Sequence, residues 1–313
     1  MTEARPIRVG TRGSPLALVQ TRWFIGLLTQ AHPGLAAVEQ IIATTGDRVQ
    51  DRRLAEIGGK GLFAKEIHEA LSDRRIDCAV HSLKDLETEL PAGIVLACTL
   101  VREDPGDALI LGPDCAAPDR AAPFDCLPRG ATIGTSSVRR QAQLLHARPD
   151  LAIGPMRGNV RTRLDKLAAG DCAATLLALA GLKRLDMADR ASLVLPPELM
   201  LPASCQGIVG VTARADATDL LAWLAAIQDG PSRAAADAER AMLAQLDGSC
   251  RTPIGAHASL APDGMLRLIG LVARADGTFL LRRASEGPRS DAAKIGAELG
   301  ASLRADSPRD LFA

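Results

Sequence analysis

Twice in this chain a short apolar run meets Gly-Thr and then a serine that opens a helical pattern. Val9-Gly10-Thr11 leads to Ser14, and Ile133-Gly134-Thr135 leads to Ser137. A strand that turns straight into a capped helix is the building unit of α/β proteins, whose helices cross back over largely parallel strands. The rest of the first two thirds fits that unit. Ile7 to Gly10 reads as a strand, and Ser14 followed by Pro15 supplies a cap and a proline at the first helical position. The spacing puts Leu16, Val19, Trp23 and Leu27 on the buried stripe, and His32-Pro33-Gly34 stops the helix. A second strand is expected over about Val38 to Thr44, then a polar, glycine-bearing and mobile loop over Thr45 to Gly61. A helix with Leu62, Ile67 and Leu71 inward precedes a strand over Ile76 to Val80, which delivers His81-Ser82-Leu83-Lys84-Asp85 to its carboxyl end.

Arg102 to Gly106 reads as a crossing, after which the pattern restarts. Thr132 to Gly134 is a strand, Thr135-Ser136-Ser137 a capping turn, and Val138 to Ala147 a helix. Val160 to Ala169 is another, with Gly170 as its C-terminal glycine. Ala173 to Ala180 is a continuous apolar run, as in a strand buried on both faces. The last third differs. Helical patterns over Leu220 to Ile227 and Ala234 to Leu246 lead into three strands over Ile254 to Arg283, joined by Pro262-Asp263-Gly264 and Ala275-Asp276-Gly277. A final helix carries Ile295, Leu299 and Leu303 on one face, so this part is α+β with an antiparallel sheet.

At 313 residues the chain is long enough for two or three cores. Lys plus Arg and Asp plus Glu both number 37, so net charge favours neither nucleic acid nor a membrane, and any anion site must come from local clustering. No stretch is long and apolar enough to span a bilayer, and the charged N-terminus has no apolar signal core, which makes the cytoplasm the expected location. Seven cysteines without a Cys-x-x-Cys pair indicate neither a disulfide framework nor a zinc site.

Helix N-termini attract anions through unpaired N–H groups and the helix dipole. Arg12 stands at the first such turn, Arg139 and Arg140 at the second, and Arg157 and Arg163 around a third at Met156 to Asn159. One capped helix with a nearby arginine is ordinary; several at strand ends point to a ligand with several anionic groups. Asp85, beside Lys84, fits either a turn-capping aspartate or an ionised carboxylate that stabilises a developing cation. Cys250, beside Arg251, fits either a small buried hydrophobe or a loop nucleophile with a lowered pKa. His81 reads as a packed strand-end histidine, since no second ligand stands at metal-binding spacing.

Seven segments together resemble the porphobilinogen deaminase family, in its order and over nearly the whole chain. They are Thr11-Arg12-Gly13-Ser14-Pro15-Leu16-Ala17, Gly58-Gly59-Lys60-Gly61-Leu62-Phe63, His81 to Asp85, Gly134 to Arg140, Arg157-Gly158-Asn159-Val160, Ala180 to Leu185 and Pro253-Ile254-Gly255. The resemblance implies two doubly wound α/β domains similar to type II periplasmic binding proteins, plus a small α+β domain with a three-stranded antiparallel sheet. The implied boundaries are 1–104 with 207–226, 105–206, and 227–313. It implies a transferase that joins four porphobilinogen units into hydroxymethylbilane, on a dipyrromethane cofactor held through a thioether to Cys250. Asp85 would hold pyrrole N–H groups and stabilise the charge formed when ammonia leaves. Arg12, Arg139, Arg140, Arg157 and Arg163 would pair with acetate and propionate groups, with Ser14, Ser82, Lys84, Thr135, Ser136 and Ser137 completing those contacts. Gln206 and Gly207 would lie near the cofactor, and Lys60 and Phe63 in the mobile loop. No metal, nucleic acid or membrane partner is implied, and a monomer is the default.

The chain departs from the family pattern at Glu56, Glu87 and Cys205, where a basic residue, a proline and a glycine are common. Two rival classes share parts of this architecture, a non-catalytic solute-binding module and a transcriptional effector domain. Neither accounts for the third domain with Cys250, and no helix-turn-helix precedes the lobes.

Overall fold

The structure, a computed structural model, describes residues 5–48, 63–246 and 252–312. They fall into two compact units, one from 1–49, 60–103 and 207–233, the other from 104–206 and 234–313.

The first unit is built on a five-stranded sheet in the order β2-β1-β3-β10-β4, with β1 Ile7–Thr11, β2 Ala37–Ile41, β3 Cys78–Ser82, β4 Ile94–Thr99 and β10 Val209–Arg214. β1 runs parallel to β2 and β3, whereas β10 is antiparallel to both neighbours, so the sheet is mixed rather than largely parallel as the sequence implies. Both faces are covered. Phe24 and Leu28 of helix Pro15–Ala31 pack with Leu220 and Leu224 of helix Thr218–Ala225 on one side; Ile67 and Leu71 of helix Lys65–Ser72 pack with Ile76 and Ala79 on the other.

Ser14 caps helix Pro15–Ala31 as expected, its side chain accepting from Ala17 N, but the buried stripe differs from the expected Leu16, Val19, Trp23 and Leu27. It is Gln20, Thr21, Phe24 and Leu28, with Trp23 exposed. The helix is apolar on more than one face, so periodicity alone could not choose the stripe. Thr21 Oγ1 decides it locally, lying 2.8 Å from both Thr11 Oγ1 and Ala17 O. Thr45–Arg48 forms a short helix where a loop was expected. The rest of that expected loop, including Glu56 and Lys60, lies outside the described residues.

The second unit holds two sheets. One has the order β7-β6-β8-β5-β9, with β5 Asp107–Leu111, β6 Thr132–Gly134, β7 Ala152–Gly154, β8 Ala174–Ala178 and β9 Leu193–Leu195. β6 is parallel to β7 and β8, and β5 is antiparallel to β8, so this sheet is mixed too. The alternation of Leu176 and Leu177 sends one residue to each face, against Leu144 on one side and Leu164 and Leu167 on the other. The last sheet is an antiparallel meander of β11 Ile254–Leu260, β12 Met265–Ala273 and β13 Leu280–Pro288. Helix Ala292–Ala305 buries Ile295, Leu299 and Leu303, the face its spacing predicts.

Candidate active site

In the first unit, β1 ends at the Arg12-Gly13-Ser14 turn and β3 ends at His81 and Ser82, side by side in the sheet. Between them opens a cleft, about 470 Å³ of empty space continuous with bulk solvent, whose lining includes Arg12, Ser14, Gln20, Phe63, His81, Ser82 and Asp85. The guanidinium carbon of Arg12 stands 4.0 Å from the Phe63 ring centroid, a cation–π stack that holds it over the cleft. Ser82 Oγ donates to Gln20 Oε1 at 3.0 Å, which orients both along the wall. Asp85 ends a 3-10 turn, Leu83–Asp85, pinned where Leu83 N donates to Ile208 O at 2.9 Å. Leu83 is buried while Lys84 and Asp85 are exposed, so the turn sinks its apolar residue and presents both charges outward. The cleft therefore offers a cation, a carboxylate and neutral donors within one wall.

In the second unit, the turn after β6 is just as ordered but its arginines point to a different partner. Ser137 caps helix Val138–Ala147 through Arg140 N, Thr135 Oγ1 accepts from Ser137 N at 3.1 Å, and Ser136 Oγ donates to Met156 O at 2.9 Å. Arg139 and Arg140 are both buried and converge on Asp107, which is wholly buried. Arg139 Nη1 reaches Asp107 Oδ2 at 2.8 Å and Leu201 O at 2.6 Å; Arg140 Nη2 reaches Asp107 Oδ1 at 2.6 Å. Gln206 Nε2 adds a bond to Asp107 Oδ1 at 2.9 Å. Burial alone would raise the Asp107 carboxyl, but the two guanidinium charges and their hydrogen bonds outweigh it and hold the group well below the usual carboxylate range. Burial pulls Arg139 below its ordinary value against the Asp107 charge. Arg139 Nε is buried without a hydrogen-bond partner among the described residues.

Arg163 Nε donates to Gly158 O at 2.9 Å, and Asn159 caps helix Val160–Ala168 through Thr162 N, so the third turn is organised around its own backbone. Arg157 is half-buried at the same turn. Gly207 has φ +91, and a Cβ there would collide with Glu103 O, which only glycine avoids. Cys205 stands in the left-handed region at φ +60, a conformation that costs a non-glycine residue about 1–2 kcal/mol. Its N–H donates to the buried carboxylate of Glu239.

Cys250 and Lys60 lie outside the described residues. Among the described cysteines, burial pushes the Cys78, Cys126 and Cys172 thiols up and takes Cys98 up to about 12, which suits packing rather than nucleophilic attack. No group of three or more His, Cys, Asp or Glu able to hold a metal occurs among the described residues. Gln20 and Asp107 are the site residues that sequence reasoning missed. For Asp107 a signal existed: it is an acid heading the apolar run Ala108-Leu109-Ile110-Leu111, where burial demands a cationic partner.

The fold and cleft define an α/β protein whose parallel strands β1 and β3 end at a cleft that carries both a guanidinium and a carboxylate. Comparison narrows the class. Residues 7–222 match the family model "Porphobilinogen deaminase, dipyromethane cofactor binding domain", and residues 234–305 match "Porphobilinogen deaminase, C-terminal domain". The chain is 49% identical to a porphobilinogen deaminase of Paracoccus denitrificans, covering 98% of this chain and 96% of that one. It is 46% identical to another of Synechococcus elongatus, covering 99% and 95%. The chain belongs to the porphobilinogen deaminase family. Among solved structures, the periplasmic VFT2 domain of Bordetella pertussis BvgS matches 71% of this chain and 86% of its own at 15% identity, with a TM-score of 0.42.

Proposed function

We propose that the chain condenses porphobilinogen head to tail into hydroxymethylbilane, releasing one ammonia per unit, on a dipyrromethane anchored through a thioether at Cys250. The observation that carries this reading is the shared cleft of Arg12 and Asp85 in a chain of this family. The donor set suits such a group: guanidiniums for its carboxylates, a carboxylate for its pyrrole N–H groups, and at Arg139 Nε a buried donor that another acceptor would satisfy. When bound, the dipyrromethane supplies the free pyrrole α-carbon on which the product grows. Porphobilinogen loses its aminomethyl nitrogen as ammonia, and positive charge spreads over the pyrrole. Asp85, fixed at its turn, faces that charge and accepts the pyrrole N–H. Losing one such preorganised group typically costs about 3 kcal/mol of barrier. Carbon–carbon bond formation then releases a proton that balances the one the leaving amine took up, so each cycle yields one ammonia net, and one water finally frees the four-unit chain as its hydroxymethyl product.

Each added unit brings two more carboxylates. That is the physical case for spreading Arg12, Arg139, Arg140, Arg157 and Arg163 over more than one turn, with Ser14, Ser82, Lys84 and Thr135 to Ser137 beside them. Gln206 and Gly207 serve the cofactor, and Lys60 and Phe63 the loop beside it. In this reading the domains are 1–104 with 207–226, 105–206, and 227–313, and the protein acts as a cytoplasmic monomer. No helix among the described residues is long and apolar enough to cross a membrane. A rice relative, 49% identical, is chloroplastic by name.

Intact mass tests the attachment. The purified chain is expected to carry two pyrrole units, and Cys250→Ala to fold without that mass and without turnover. An adduct that survived in Cys250→Ala would move the anchor to another cysteine.

A further inference from the structure

Behind the Asp85 turn lies a buried ionisable pair that the reaction above does not use. His68, in helix Lys65–Ser72, places Nδ1 3.1 Å from Glu87 Oε1, with side-chain exposures of 5% and 11%. His68 Nε2 is buried and has no hydrogen-bond partner among the described residues, so Glu87 is the contact that fixes this ring. Its other neighbour is His81, ring centroids 6.1 Å apart and tilted by 52°. His81 in turn lines the cleft and sets Nε2 2.9 Å from Thr212 Oγ1. Burial works against the Glu87 charge, but the His68 hydrogen bond, a backbone hydrogen bond and the neighbouring His68 and His81 rings together outweigh it and hold Glu87 below its ordinary value.

A buried polar contact of this kind gives little net stability over apolar side chains of the same volume, so its value is better sought in the geometry it fixes. Here that geometry is the Asp85 turn. On one side Leu83 and Leu86 are buried, with Leu86 N donating to Leu83 O at 3.1 Å. On the other, the chain leaves the turn at Glu87. The helix that carries His68 is itself held by Ile67 and Leu71 in the core, and so offers a rigid anchor.

We propose that His68 and Glu87 are positioning residues: their buried contact ties the exit of the Leu83–Asp85 turn to helix Lys65–Ser72 and so fixes the Asp85 carboxylate in the cleft. This rests on Asp85 acting on the substrate as proposed above. A carboxylate displaced by a fraction of an ångström still binds substrate but meets the developing charge badly, so turnover suffers more than binding.

The test compares Glu87→Leu, Glu87→Gln, His68→Phe and His68→Asn in the full cofactor-bearing chain. The Asn amide places a donor near the position of Nδ1 and the Gln amide oxygen keeps an acceptor near that of Oε1, whereas Phe and Leu have neither. Glu87→Leu and His68→Phe are expected to lower kcat about tenfold with KM within about twofold and the covalent cofactor mass intact. His68→Asn and Glu87→Gln should keep most of the parent kcat, and the Glu87→Leu/His68→Phe double variant should lose little more than either single change. Unchanged kcat in Glu87→Leu, or equal losses in His68→Asn and His68→Phe, would overturn the proposal; Glu87→Leu against Glu87→Gln decides the matter if His68→Phe does not fold. Asp85→Asn, assayed alongside, separates the two claims. Normal turnover in Asp85→Asn sinks the role of Asp85 itself, whereas a dead Asp85→Asn beside fully active His68 and Glu87 variants sinks only the positioning.

Discussion

Ser14 and Ser137 cap their helices alike, each accepting from the N–H of the third residue along, yet the arginines at the two turns meet different surroundings. Arg12 lines an open cleft above Phe63, while Arg139 and Arg140 are buried on Asp107. The register of the antiparallel strand explains this. In the first unit Val209 opens β10 opposite Ser82, at the end of β3; in the second Asp107 opens β5 opposite Ala178, at the end of β8. Corresponding sheet positions thus hold a valine in one unit and an aspartate in the other. Where the strand offers an acid, the arginines turn inward and are held on it, with Arg139 Nε left for a further acceptor. Where it offers an apolar residue, the arginine lines the cleft. The turn motif specifies a cation at a strand end, and a residue far away in sequence decides what that cation does.

The largest effect should come from removing the acid. Asp107→Asn leaves two buried guanidiniums short of their counter-charge, and loss of one partner from a buried pair costs about 3–5 kcal/mol. Denaturant unfolding at neutral pH measures it; a loss under about 1 kcal/mol would mean the arginines find other partners. The pH dependence has a definite sign. A carboxyl whose folded pKa is depressed stabilises the fold above its unfolded value, about 4, and that stability is lost as pH falls toward the folded value. The gap between parent and Asp107→Asn should therefore be full at pH 7 and shrink below about pH 4.

Arginine replacements sharpen the comparison. Arg139→Met strands part of the Asp107 charge and should cost about 2–5 kcal/mol of stability. Arg12→Met removes a half-buried cation–π contact worth about 0.5–1 kcal/mol, and should spend most of its effect on turnover instead. Equal stability losses in thermal melts would erase the distinction between the two turns. The smallest change is expected for Cys205→Gly. It relieves a left-handed residue worth about 1–2 kcal/mol but gives up a buried side chain and loosens the unfolded chain, so the net shift should stay within about 1 kcal/mol.

Much of this was legible in the sequence because it is local. Caps at Ser14 and Ser137, the Gly170 stop, the two hairpin turns before β12 and β13, and the inward face of the last helix follow from short-range rules. Arg12 and Asp85, candidate site residues from the sequence, line one cleft. What escaped depends on partners remote in the chain. The antiparallel β5 and β10 carry no local mark of direction, and the inward turn of Gln20 depends on the packing of helix Pro15–Ala31 against the sheet. The pairing of Arg139 and Arg140 with Asp107 spans more than 30 residues. His68 and Glu87 meet only because the Asp85 turn folds back over the preceding helix.

The central claim is that one carboxylate, Asp85, stabilises the positive charge that forms as ammonia leaves. Asp85→Asn keeps the shape and hydrogen-bonding capacity of the side chain and removes the charge. Steady-state turnover of porphobilinogen by this variant, with folding checked by circular dichroism and cofactor content by intact mass, tests it most directly. A folded protein whose kcat has fallen by about a hundredfold or more is expected. A folded, cofactor-bearing Asp85→Asn that turns over within a few fold of the parent would contradict it.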